Sequence, residues 1–104
     1  TLWTWGINNG SYGGALGLND EVQRSSPTQV PGTTWSSTSS GLGGTLATKT
    51  DGTLWAWGRN SVGTLGQNGN LPTNYSSPIQ IPGTSWVTVG HGGQGNTMMA
   101  FKNV

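Results

Sequence analysis

The chain has 104 residues, a formal net charge of +1 and only 7% charged residues. Its four basic and three acidic residues form no basic stripe for nucleic acid, zero Cys excludes disulfides and thiolate chemistry, and no apolar run nears the roughly 20 residues of a membrane span. Leu, Ile, Val and Phe together number 18, against 19 Gly and six Trp, so Trp must supply much of the buried apolar area.

Gly and Pro punctuate the whole chain. The longest stretches free of both, Leu18–Ser26 and Asn96–Val104, have nine residues each, too few for a helical fold. Short apolar runs between turn residues predict strands. In chain order they are Thr1–Gly6, Thr28–Val30, Trp35–Ser39, Thr45–Thr50, Thr53–Gly58, Ile79–Ile81, Trp86–Val89 and Thr97–Phe101. Between the fourth and fifth stands Asp51-Gly52, the pattern of a two-residue hairpin in a type I′ turn. The first residue is Thr1 rather than Met, so a processed or excised piece of a longer product is expected.

The same elements recur. Thr1-Leu2-Trp3-Thr4-Trp5-Gly6 returns as Thr53-Leu54-Trp55-Ala56-Trp57-Gly58, and Asn8 as Asn60. Leu16-Gly17 returns as Leu65-Gly66. Ser25-Ser26-Pro27-Thr28-Gln29-Val30-Pro31-Gly32-Thr33 returns as Ser76-Ser77-Pro78-Ile79-Gln80-Ile81-Pro82-Gly83-Thr84. Trp35 returns as Trp86, and Ala47-Thr48-Lys49 as Ala100-Phe101-Lys102. The chain divides into two copies, residues 1–52 and 53–104. A period near 50 built of short strands points to propeller blades.

These motifs carry a family resemblance. Leu-Trp-x-Trp-Gly-x-Asn, Leu-Gly, Pro-x-Gln-hydrophobic-Pro-Gly, Trp, Ala-x-Lys and Asp-Gly, in that order, resemble the repeat of the regulator of chromosome condensation (RCC1) family. The resemblance implies an all-β fold of four-stranded antiparallel propeller blades, commonly seven to a ring. It also implies a range of roles: nucleotide exchange on a small GTPase, chromatin binding, light sensing through Trp clusters, or inhibition of bacterial enzymes. The chain departs from the family pattern in places. A Gly-x-x-His-Thr stretch often precedes the Ala-x-Lys strand in the family. Here the first copy reads Gly41-Leu42-Gly43-Gly44-Thr45, and in the second His91 is displaced. A basic tail and an acidic loop are both missing, which speaks against a nuclear role. The Gly-, Asn-, Ser- and Thr-rich style is similar to that of bacterial or phage surface members.

One complete blade can be assembled, from Trp35–Ser39, Thr45–Thr50, Thr53–Gly58 and Ile79–Ile81, leaving a half-blade at each end. Two blades close no ring, so the ends are expected to pair with other copies of the chain or with further RCC1-like repeats. Trp3 and Trp5, like Trp55 and Trp57, are spaced to share one strand face. With Trp35 and Trp86 they are the expected repeat core, each Trp pair bringing about 10 kcal/mol of gross burial.

Candidate chemistry is sparse. Gly90-His91-Gly92-Gly93-Gln94-Gly95 matches G-x-G-x-x-G, but neither a helix nor an acid follows it, so it reads as an inter-strand turn. His91, the lone His, reads as a loop residue at the propeller rim. Asp20 and Glu21 are adjacent and point apart in an extended loop, which makes no acid/base pair. Asn9-Gly10-Ser11 and Asn74-Tyr75-Ser76 have the form of glycosylation sequons. The long polar loops Asn8–Ala15, Asn19–Ser26 and Gln67–Ser77 are where partner contacts are expected, with Tyr12, Arg24, Tyr75 and His91 the residues to test. No catalytic, metal or cofactor residues are assigned. The expected function is a non-enzymatic structural or interaction module in a surface, virion or appendage protein. The alternative is a fragment of a larger ligand- or protein-binding regulatory propeller, of exchange-factor or enzyme-inhibitor type. An unidentified protein or glycan partner is compatible with either.

Overall fold

The computed structural model describes residues 1–41, 43–69, 71–92 and 97–103, without the side chain of His91. Among the described residues, eight strands form three antiparallel sheets. The first pairs β1 (Leu2–Gly6) with β2 (Arg24–Val30). The second has the order β3 (Trp35–Ser40), β4 (Gly44–Lys49), β5 (Leu54–Arg59) and β6 (Asn74–Ile81). The third pairs β7 (Trp86–Gly92) with β8 (Thr97–Lys102). One four-stranded blade therefore stands between two half-blades. The complete blade takes β3 and β4 from the first sequence copy, β5 and β6 from the second.

The hairpin at Asp51-Gly52 is present, but its turn is not type I′. The Lys49 amide donates to Thr53 O at 2.9 Å and the Gly52 amide to Lys49 O at 3.0 Å, so the loop has three residues. Gly52 has a φ of 85°, whereas Asp51 is not in the positive-φ region. This is the three-residue hairpin whose last position takes the left-handed conformation. Asp51 acts through its side chain instead. Its Oδ1 accepts from the Thr53 amide at 3.0 Å and the Thr53 hydroxyl at 2.6 Å.

Strands β2 and β6 begin earlier than predicted and take in residues assigned to loops, among them Arg24 and Tyr75. Pro27 and Pro78 concealed this. Each lies where the ladder is interrupted, opposite the steps Thr4/Gly6 and Ala56/Gly58, on a strand at the edge of its sheet. There a missing N–H costs nothing. Strand β7 likewise runs past its predicted end, because Thr97 and Met98 supply register partners for Gly92 and His91. The His91 backbone is thus in a strand, not a loop. The rest of the glycine motif, residues 93–95, lies outside the described residues.

One cluster of the core sits between the complete blade and the C-terminal half-blade. Leu46, Leu54, Ala56 and Leu65 are buried together, with Tyr75, Ile79, Trp86, Val89, Met98 and Ala100 packed around them. Strand β7 lies against β3 and β4. Leu54 and Ala56 alternate with Trp55 and Trp57, so each face of β5 has its own neighbour.

Candidate functional site

The second Trp face, built from β5, shows what a finished blade requires. Trp57 is fully buried. Its indole N–H donates to Ala15 O at 3.1 Å, and its ring meets that of Trp35 edge-on, with centroids 5.6 Å apart. Gly17 lies directly beneath it: a Cβ there would be 2.8 Å from Trp57 Nε1. The Lys49 ammonium sits between two rings, 4.7 Å from the Trp35 centroid and 4.5 Å from that of Trp55. The sheet itself is closely approached as well. A Cβ on Gly58, whose φ is 98°, would run into the Gly43 carbonyl.

The segment that covers Trp57 comes from the other sequence copy and is held by a buried Asn. Asn8 Nδ2 donates to Asp20 O at 2.9 Å and Val22 O at 3.1 Å, while its Oδ1 accepts the Leu16 amide at 3.0 Å. Asn60 repeats the device, donating to Gly69 O and Pro72 O and accepting the Leu65 amide. Both side chains are fully buried. Sequence reasoning saw Asn8 and Asn60 only as recurring letters. Their fixed place after Trp-Gly was the available signal. The Ala15 carbonyl carries no side-chain signal at all.

At the N-terminal end the same motif is open. Trp3 and Trp5 are 47% and 60% exposed, which corrects their expected place in a core. Trp35, Trp55 and Trp86 are half-buried. The reason is that β1 has a strand on one side only, and Trp3 and Trp5 face a groove of about 620 Å³ whose far wall includes Thr38, Ser40 and Gly44. At the other end β8 is the open edge, with Met99 50% and Phe101 64% exposed. Lys102 has one ring, Trp86, with its ammonium 5.3 Å from the centroid.

The segments bearing Tyr12, Arg24 and Tyr75 meet one another, the Asn19 amide donating to Ser76 O at 2.7 Å and Gly14 lying against the Tyr75 backbone, while the His91 side chain lies outside the described residues. Tyr12 is half-buried in a single 3₁₀ turn, Gly10–Tyr12, packed on Gly43. Tyr75 is half-buried beside the core and paired with Gly58. Arg24 makes a 2.9 Å ion pair with Asp20. The Arg24 hydrogen bond, helped by the Val22 amide, holds the Asp20 carboxyl below its ordinary range. Hydrogen bonds from Thr53, with the Lys49 charge nearby, do the same for Asp51. Among the described residues, no three His, Cys, Asp or Glu side chains converge on a metal-sized site. No described helix is long and apolar enough to cross a membrane.

With this geometry in view, the comparison with known families is specific. Residues 51–99 match the family model described as Regulator of chromosome condensation (RCC1) repeat. The chain carries an RCC1 repeat. No curated protein matches it. The RCC1 match opens at the Asp51 turn, spans β5, β6 and β7, and ends within β8. It therefore straddles the complete blade and the half-blade after it. RCC1 repeats form β-propeller interaction modules, and among the described residues the strands make one four-stranded antiparallel sheet flanked by two two-stranded ones.

Proposed function

We propose that the chain is a non-enzymatic structural module: RCC1-type propeller blades of a surface, virion or appendage protein, assembled by strand pairing at its two ends. The observation that carries this reading is the complementarity of those ends. A half-blade equivalent to β5 and β6 stands at one terminus and one equivalent to β3 and β4 at the other, around one finished blade. Propellers of this repeat usually bind proteins, and exposed strand edges beside apolar rings favour pairing with another sheet. Polar connecting segments would then carry contacts to a protein or glycan partner.

A second reading is a segment of a larger regulatory propeller. It is favoured by the fact that an RCC1 repeat supplied by the same polypeptide would fill the groove beside β1 as well. The size and assembly of the natural polypeptide separate the two. A natural product near 10.8 kDa that sediments as a multimer supports the structural module. A several-fold larger monomer supports the regulatory propeller.

A further inference from the structure

We propose that a second copy of this chain completes the open N-terminal blade, its β8 adding to β1 in one defined register. This rests on the reading of the ends as strand-pairing edges and adds the partner, the register and the contacts.

The finished blade is the template. Within it β4 pairs with β5 as Thr45↔Trp57, Leu46↔Ala56, Ala47↔Trp55 and Thr48↔Leu54. Strand β8 repeats β4, and its register on β7 follows that of β4 on β3, bulge included. Strand β1 repeats β5, and its register on β2 follows that of β5 on β6, again with the bulge in the same place. Both half-blades therefore already have the backbone shape of their finished counterparts. Transferred to two copies, the template gives Met98↔Trp5, Met99↔Thr4, Ala100↔Trp3 and Phe101↔Leu2.

Three half-made contacts meet in that arrangement. Lys49 is held between Trp35 and Trp55, whereas Lys102 has only Trp86 among the described residues, and Trp3 of the second copy supplies the second ring. Trp57 finds its carbonyl at Ala15 and an edge contact at Trp35. The repeat places Thr64 O and Trp86 in those positions for the incoming Trp5, with Gly66 standing where Gly17 stands. Finally, Gly58 is required because the Gly43 backbone passes where a Cβ would be. Gly6 has the same kind of backbone, φ 113°, yet a Cβ there meets nothing within 4 Å. It is a glycine shaped for a neighbouring strand that none of the described residues brings. The groove beside β1 is where that strand pair would lie, since within the chain β7 already packs on β3 in the corresponding way.

The absence of native Cys makes a clean test. Four substitutions are combined two ways in the full chain. Thr4→Cys with Met99→Cys, and Leu2→Cys with Phe101→Cys, are in register. Thr4→Cys with Phe101→Cys, and Leu2→Cys with Met99→Cys, are displaced by two residues. Directly opposed strand positions have Cα atoms about 4.5–5.5 Å apart, within disulfide reach, and displaced ones do not. Mild oxidation is expected to give a ladder of covalent multimers on non-reducing gels from the in-register pairs only. Trp3→Ala is expected to weaken association of the Cys-free chain about tenfold or more by sedimentation, as loss of a central aromatic contact does. Multimers that cross-link equally in all four combinations would overturn the register while leaving strand-end assembly standing. A chain that stays monomeric at every concentration, or closes disulfides only within itself, would overturn the second copy as the partner. The larger-propeller reading would then still be testable by adding a flanking repeat.

Discussion

At the residue scale, each half of the chain depends on one buried amide and one carboxylate-capped turn. Asn60 pins a connecting segment through three hydrogen bonds while fully buried, so Asn60→Ala leaves two carbonyls and an amide without it. A loss of about 2–3 kcal/mol is expected in urea unfolding. An exposed substitution such as Gln67→Ala should change little, and equal effects would refute the bracket role. Asp51 and Asp20 both titrate below the ordinary value of 3.8, held there by Thr53 and Arg24 respectively. A carboxyl with a lowered folded pKa contributes its stabilisation above 3.8 and loses it as the pH falls through the folded value. Asp51→Asn should therefore flatten the acid limb of the urea midpoint against pH. An unchanged acid limb would show that the Thr53 bonds do not matter. Asp51 was visible in the sequence as a turn residue. Its turn type was not, because the conformation depends on where the strands resume pairing.

Among the elements, the central strands and the terminal ones have the same motif and different fates. Strand β5 has neighbours on both sides and its Trp57 is enclosed, while β1 carries the same letters with one neighbour. Trp57→Ala is expected to cost about 3–5 kcal/mol, as deletion of a buried Trp does, whereas Trp5→Ala in the dilute chain costs well under that. Comparable losses from the two would mean that β1 is covered in solution. Two-stranded ribbons are marginal by themselves. Amide exchange should accordingly be slowest in β4 and β5 and fastest in β1 and β8, and the reverse order would contradict the blade assignment. The Asp-Gly hairpin and the four-strand composition of the blade were readable from short runs between turn residues. The early starts of β2 and β6 were not, since Ser-Ser-Pro reads locally as a turn, and only the interrupted ladder opposite Trp5 and Trp57 accommodates it.

For the whole molecule, the internal repeat determined the outcome in advance to a large degree. Two copies of Trp-x-Trp-Gly-x-Asn, Leu-Gly, Pro-Gly and Ala-x-Lys, with hairpin glycines between, specify strands, their antiparallel partners and a finished blade flanked by two incomplete ones. Those features follow from local chemistry: turn residues, alternation and spacing act over a few residues and are written in them. The tertiary structure alone decided which tryptophans are buried, which carbonyl receives the Trp57 indole, and that Tyr12, Arg24 and Tyr75 are each engaged within the chain, on segments that meet one another. Burial is a property of neighbours, and Trp5 and Trp57, identical in their local pattern, differ because a covering segment and a fourth strand reach one and not the other.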